Sequence, residues 1–196
     1  WISTGISKGG QTTMLYRAFF PYDVDFSVAY VAPLCRGVED GRHEPFLRKV
    51  GTRKERRKIE AFQREVLQRR NELRPLFQAY VQEKGYTFRT TLDEIYDLSV
   101  LEYPFALWQW GTSVSLIPEE GADAKKVFDH WMQISDPSYF SVGQDTEPFN
   151  VQAARELGYY GYDTAPFKKW LTIPTAKGYL NRVMLPDELR DKVEFR

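Results

Sequence analysis

Trp1-Ile2-Ser3-Thr4-Gly5-Ile6-Ser7-Lys8-Gly9-Gly10 opens the chain, and its reading decides the fold. Gly5 to Gly9 has the form G-x-S-x-G, with a further glycine at Gly10. The residues before it suit a strand. Gln11–Phe20 then carries Thr12, Met14, Leu15, Ala18 and Phe19 at helical spacing. A serine at such a junction is the pattern of a nucleophile elbow. The turn is crowded, so its neighbours must lack a Cβ for strand and helix to approach. A helix starting directly behind the serine aims free backbone N–H groups at the place where an oxyanion would form. An ordinary glycine-rich loop is the competing reading. The order of elements favours the elbow: Pro21 ends the helix, and Val24–Val31 (VDFSVAYV) reads as a buried strand.

The bulk properties exclude more than they assign. With 27 basic and 27 acidic side chains the formal net charge is zero, which argues for neither nucleic acid nor an anionic membrane. No apolar run approaches the roughly 20 residues that span a bilayer, and no signal peptide is visible. The 196 residues suffice for one domain. The chain starts within a strand and without an initiator methionine, so it reads as an internal piece of a longer protein. Cys35, the only cysteine, allows no internal disulfide and suits an apolar filler better than a catalytic thiol.

Residues 36–51 read as a charged, glycine-containing loop. Helix is expected for more than 30 residues from Thr52, where Thr52-Arg53-Lys54-Glu55 forms a capping box. Ile59, Phe62, Val66, Leu73, Phe77 and Val81 mark its inner face, Pro75 kinks it and Gly85 ends it. Thr91-Leu92-Asp93-Glu94 is a second capping box, for a helix to about Leu101, followed by the aromatic stretch Tyr103–Trp110. Pro118-Glu119-Glu120 opens a helix carrying Val127, Phe128, Trp131 and Met132. Pro137, Gly143 and Pro148 mark loops, Gln152–Leu157 is helical, and Tyr159–Tyr162 is a short strand or turn. The tail from Lys168 is irregular, with a short helix at Pro186–Lys192. No internal repeat is visible. Helices following a strand–elbow–helix–strand piece predict an α/β-hydrolase fragment with a large inserted α-helical cap. Its parts are 1–35 (core with elbow), 36–147 (cap) and 148–196 (return to the core).

Arginines and lysines between Arg53 and Arg74 are interleaved with Glu55, Glu60, Glu65 and Glu72. Glu60–Arg64 and Glu65–Arg69 have the i, i+4 spacing of an exposed helical face, which is preferred to a nucleic-acid patch. His43 and His130, the only histidines, lack any metal-ligand spacing, so neither a metal nor a cofactor is expected. A serine nucleophile needs a histidine base and an acid. His130 has the right chain order but falls in a helix, where it reads as packing or surface. His43 is a weaker candidate. Glu39 and Asp40, expected on the sheet edge of Ser7, are candidate triad acids or plain loop charges.

Three stretches resemble a family of secreted bacterial serine peptidases, the prolyl tripeptidyl/tetrapeptidyl aminopeptidases, which are related to lysosomal prolyl carboxypeptidase and dipeptidyl peptidase. They are residues 1–34, VLEYPFALWQWG at 100–111 and FNVQAARELGYYGYDT at 149–164. The resemblance implies release of short peptides from free N-termini, often after proline. It makes Ser7 the nucleophile and the backbone N–H of Lys8 an oxyanion donor. An enzyme of this type must bind an ammonium, and Glu102 stands at the acidic position of the second stretch. A surface glutamate is the other reading. Tyr103, Phe105, Trp108 and Trp110 would line the cleft beside it, or pack the core. The partners implied are peptides, and the location is secreted or periplasmic.

The family's catalytic aspartate and histidine are expected beyond Arg196, and the second oxyanion donor before Trp1. The 196 residues alone are therefore expected to be inactive. A capped esterase and a non-catalytic helical binding module are the alternatives.

Overall fold

The computed structural model describes residues 1–190 and 192–195, which form two compact units divided after Gly37. In the smaller unit, β1 (Ile2–Ile6) pairs in parallel with β2 (Phe26–Tyr30), with Ile2 opposite Phe26 and Ile6 opposite Tyr30. Between them runs α1 (Lys8–Phe19), the right kind of element to cross between parallel strands. Every residue of β2 is exposed, including Phe26, Val28 and Tyr30. The strand expected as buried is thus an uncovered one. Its apolar character is that of a strand from a parallel sheet covered on both faces.

The larger unit is mostly helical. The segment expected as a loop at 36–51 holds β3 (Glu39–Asp40) and the short α2 (His43–Leu47). Thr52 forms the full capping box with Glu55 at the start of α3 (Arg53–Gln68). One long helix was expected here. Instead it divides at Arg69, and α4 (Arg70–Lys84) carries Pro75 inside it. Arg69 holds the corner by bonding Glu65, Glu72 and the carbonyl of Ala122. Gly85 closes α4 in the left-handed conformation.

The central helix, α5 (Leu92–Gln109), runs eight residues past the expected end and continues through Pro104. It is buried on nearly all sides, as befits a helix in the middle of a core. Thr91 caps it, but the box is only half made. Glu94 turns to Thr90 and Arg182 instead. The next helix, α6 (Ala124–Ile134), starts at the Asp123 cap rather than at Pro118. Phe77, Tyr96 and Trp131 meet at the centre of the core, with Phe77 stacked on Trp131 at 5.2 Å.

Pro148 lies in α7 (Glu147–Gln152), not in a loop, because proline is tolerated in a helix's first turn. The chain continues as a single wide turn to Leu157 and then forms β4 (Tyr159–Tyr160), which pairs with β3. Glu39 and Asp40 therefore belong to a second small sheet, not to that of Ser7. The Pro186–Lys192 helix is replaced by turns, and Asp191 lies outside the described residues. No described helix is long and apolar enough to cross a membrane.

Candidate active site

Ser7 stands between the end of β1 and the start of α1 with φ +54° and ψ −118°. Only one other described non-glycine residue has positive φ, Val31, at the end of β2. Such a conformation costs a residue with a Cβ about 1–3 kcal/mol and persists only where its surroundings enforce it. Two backbone bonds do so: Ser7 N–H donates to the Tyr30 carbonyl at 3.0 Å, and Gln11 N–H donates to the Ser7 carbonyl at 2.9 Å. The Ser7 side chain is exposed. It does not cap α1, and no acidic residue occupies the helix's first turn. The positive helix end is left unneutralised beside the serine.

The glycines divide by role. A Cβ on Gly5 would collide with the backbone of Gly9, and one on Gly10 would come within 2.7 Å of the Tyr30 carbonyl oxygen. A Cβ on Gly9 would meet nothing. The crossing of strand and helix thus requires Gly5 and Gly10, while Gly9, the last glycine of the motif, is sterically free.

In the larger unit, Glu102 is buried in the middle of α5. The Tyr162 hydroxyl donates to its Oε2 at 2.6 Å, and the Tyr160 hydroxyl reaches both carboxylate oxygens at 3.0 Å. No cation pairs with it among the described residues. Burial raises its pKa to about 7, against the opposing pull of the Tyr162 and Tyr160 bonds. Around it, Tyr139 donates to the Tyr159 hydroxyl at 2.7 Å, and Tyr179 donates to the carbonyl of Tyr160 at 3.1 Å. Tyr162 also lines a cavity of about 710 Å³ with Glu39 and Glu44. Burial raises the pKa of both these carboxyls too. Arg48, paired with Asp163, and Lys177 line the same cavity. A buried carboxylate bounded by hydroxyls and without a cationic partner is chemically suited to a cation.

The other candidates are placed as follows. Tyr103 is fully buried and hydrogen-bonded to Nε2 of His130 at 2.7 Å. His130 is itself enclosed, its ring against the edge of Phe62, and burial lowers its pKa. The Nδ1 of His43 rests 3.0 Å from the carbonyl of Asp40. Phe105 stacks on Tyr160 at 4.4 Å, Trp108 lines a separate cavity, and Trp110 is exposed. The tyrosines around Glu102 were not anticipated as its partners. The signal was present in the run Tyr159-Tyr160-Gly161-Tyr162.

A strand that hands an exposed, strained serine to a helix N-terminus, followed by a helix-rich unit with a buried carboxylate, is an architecture suited to hydrolysis. The family model for PS-10 peptidase S37 matches residues 1–170. The chain belongs to that family of peptidases. It is 32% identical over 165 residues to the prolyl tri/tetrapeptidyl aminopeptidase of Streptomyces mobaraensis, an alignment covering 81% of this chain and 35% of the relative. The chain thus spans about a third of that relative's length. No solved structure matches it.

Proposed function

We propose that Ser7 is the nucleophile of a serine peptidase with an α/β-hydrolase core and a helical cap, which removes tri- or tetrapeptides from free N-termini, often after proline. The observation that carries this reading is the positive φ of Ser7 at a strand-to-helix turn. In the proposed mechanism the hydroxyl attacks the scissile carbonyl, the amine leaves with a proton from the general acid, and water hydrolyses the acyl-enzyme. The N–H of Lys8 donates to the oxyanion. The uncovered faces of β1 and β2 support a larger parallel sheet. The printed name of the Streptomyces relative supports the substrate class.

The unit that carries Ser7 contains no histidine. We assign the general base to neither histidine of the larger unit. His130 is enclosed, and His43 rests on a backbone carbonyl rather than on a carboxylate that would stabilise its charged form. The 196 residues by themselves are therefore expected to turn over no peptide. Glu102 is proposed to receive the substrate ammonium, entering by the cavity that Tyr162 lines. Tyr103, on the same helix, is bonded to His130 and keeps a packing role, and Trp108 lines a separate cavity and takes no part in holding the ammonium. A secreted or periplasmic location is proposed on the family resemblance alone.

The test uses the full-length protein. A fluorophosphonate should label wild type and fail on Ser7→Ala. Free peptides should be cleaved in preference to N-acetylated ones, and Glu102→Gln should remove that preference. Equal rates on free and acetylated peptides would favour an esterase-like hydrolase. Absence of labelling in the active protein rejects Ser7.

A further inference from the structure

A cavity of about 400 Å³ in the larger unit is lined by both α3 and α5. Leu101, Pro104 and Trp108 of α5, with Phe167, supply its apolar lining. The Trp108 ring lies close against the backbone of Gly51. Gly51, at φ +64°, lies so close that a Cβ there would come within 2.5 Å of the ring.

Four arginines supply the charge: Arg48, Arg53, Arg56 and Arg57. Arg48 is paired with Asp163. Arg56 donates to the carbonyls of Val50 at 3.0 Å and Gly51 at 2.6 Å. Of the cavity's other acids, Glu60 is held by Arg64, and Glu44 accepts the N–H of Asp163 at 2.9 Å. Glu55, between the remaining arginines in sequence, is committed to the Thr52 cap. That leaves Arg53 and Arg57, both exposed, with no carboxylate partner among the described residues. They are one helical turn apart on the same face of α3, and both line this cavity.

We infer that this groove binds an acidic segment of a peptide substrate, a carboxylate side chain next to an apolar one. Two guanidiniums lining one groove suit a carboxylate, and an indole beside aliphatic groups suits its apolar neighbour. A nucleic-acid strand calls for a cationic track with successive stacking rings, which two arginines and one indole do not provide. The inference rests on the peptidase reading and adds to it a preference for acidic substrates.

The test is calorimetric binding to the full-length Ser7→Ala protein. The probes are two peptides blocked at both ends, acetyl-Leu-Asp-Leu-Glu-Leu-amide and its Asn/Gln counterpart. At low salt the acidic peptide should bind at least tenfold more tightly. Arg53→Gln with Arg57→Gln should abolish that advantage, and Trp108→Ala should weaken both peptides. Equal affinities overturn the inference. So does an advantage that survives the double substitution, or tighter binding of a single-stranded oligonucleotide through the same arginines. The blocked ends keep the measurement independent of Glu102. Hydrolysis of unblocked neutral peptides by wild type reports separately on the peptidase reading.

Discussion

The Tyr162 hydroxyl donates a 2.6 Å hydrogen bond to Glu102, a residue 60 positions earlier in the chain. With Tyr160 it surrounds a buried carboxylate by donors that carry no charge. The two hydrogen bonds favour the ion, but burial opposes it more strongly, so an incoming cation would complete the site. This arrangement and the strained Ser7 turn give three predictions, and the buried Asp97–Arg70 pair gives a fourth.

Glu102 makes stability depend on pH. Its folded pKa of about 7 lies above the ordinary 4.5, so the fold favours the protonated form. Its stabilising contribution is fully present below about pH 4.5 and is lost as pH rises through 7. The full loss is on the order of 3 kcal/mol. Glu102→Gln, which mimics the neutral form, should remove this loss. Urea denaturation at pH 5 and pH 8 checks it. Parallel pH dependence in wild type and variant would contradict the assignment.

Ser7 should be a position of conflict between activity and stability. Glycine adopts φ +54° without a Cβ penalty. Ser7→Gly should be about 1–2 kcal/mol more stable than Ser7→Ala, although both abolish fluorophosphonate labelling. Equal melting temperatures for the two variants would show that the turn is unstrained.

The three elbow glycines should respond unequally. Gly5→Ala and Gly10→Ala force a methyl into backbone and should each cost at least about 2–3 kcal/mol and weaken Ser7 labelling. Gly9→Ala meets nothing and should stabilise α1, by up to about 1 kcal/mol. A severe loss at Gly9 would show that another segment approaches it.

Asp97 should be structurally critical. It is fully buried, paired with Arg70, and accepts the N–H and hydroxyl of Thr172, each at 2.7 Å. Asp97→Ala leaves the largely buried Arg70 without its partner and should cost about 3–5 kcal/mol in denaturation. Asp97→Asn, which keeps an acceptor for Thr172, should cost less. A neutral alanine variant would rule out this tether.

Local rules were legible wherever the deciding atoms lie within a turn of one another. The Thr52–Glu55 box, the strand–serine–helix order, the Gly85 stop and the inner faces of α3, α4 and α6 all follow from neighbours three or four residues apart. Failures came where a distant partner intervened. The helix divides at Arg69, not at the kink expected from Pro75, since Arg69 is held by Ala122. Glu94 gave up its half of a capping box for Arg182, and Glu39 left the expected sheet edge to pair beside Tyr159.

Sequence alone determined the turn at Ser7, because glycine placement and a helix start are properties of ten consecutive residues. It also pointed to Glu102 through resemblance. Only the tertiary structure decided that Glu102 is buried rather than exposed, that Tyr160 and Tyr162 hold it, and that Gly9 is free while Gly5 and Gly10 are not. The reason is one of range. Desolvation, which governs the charge of Glu102, is set by groups 58 and 60 residues away, whose approach no local pattern encodes.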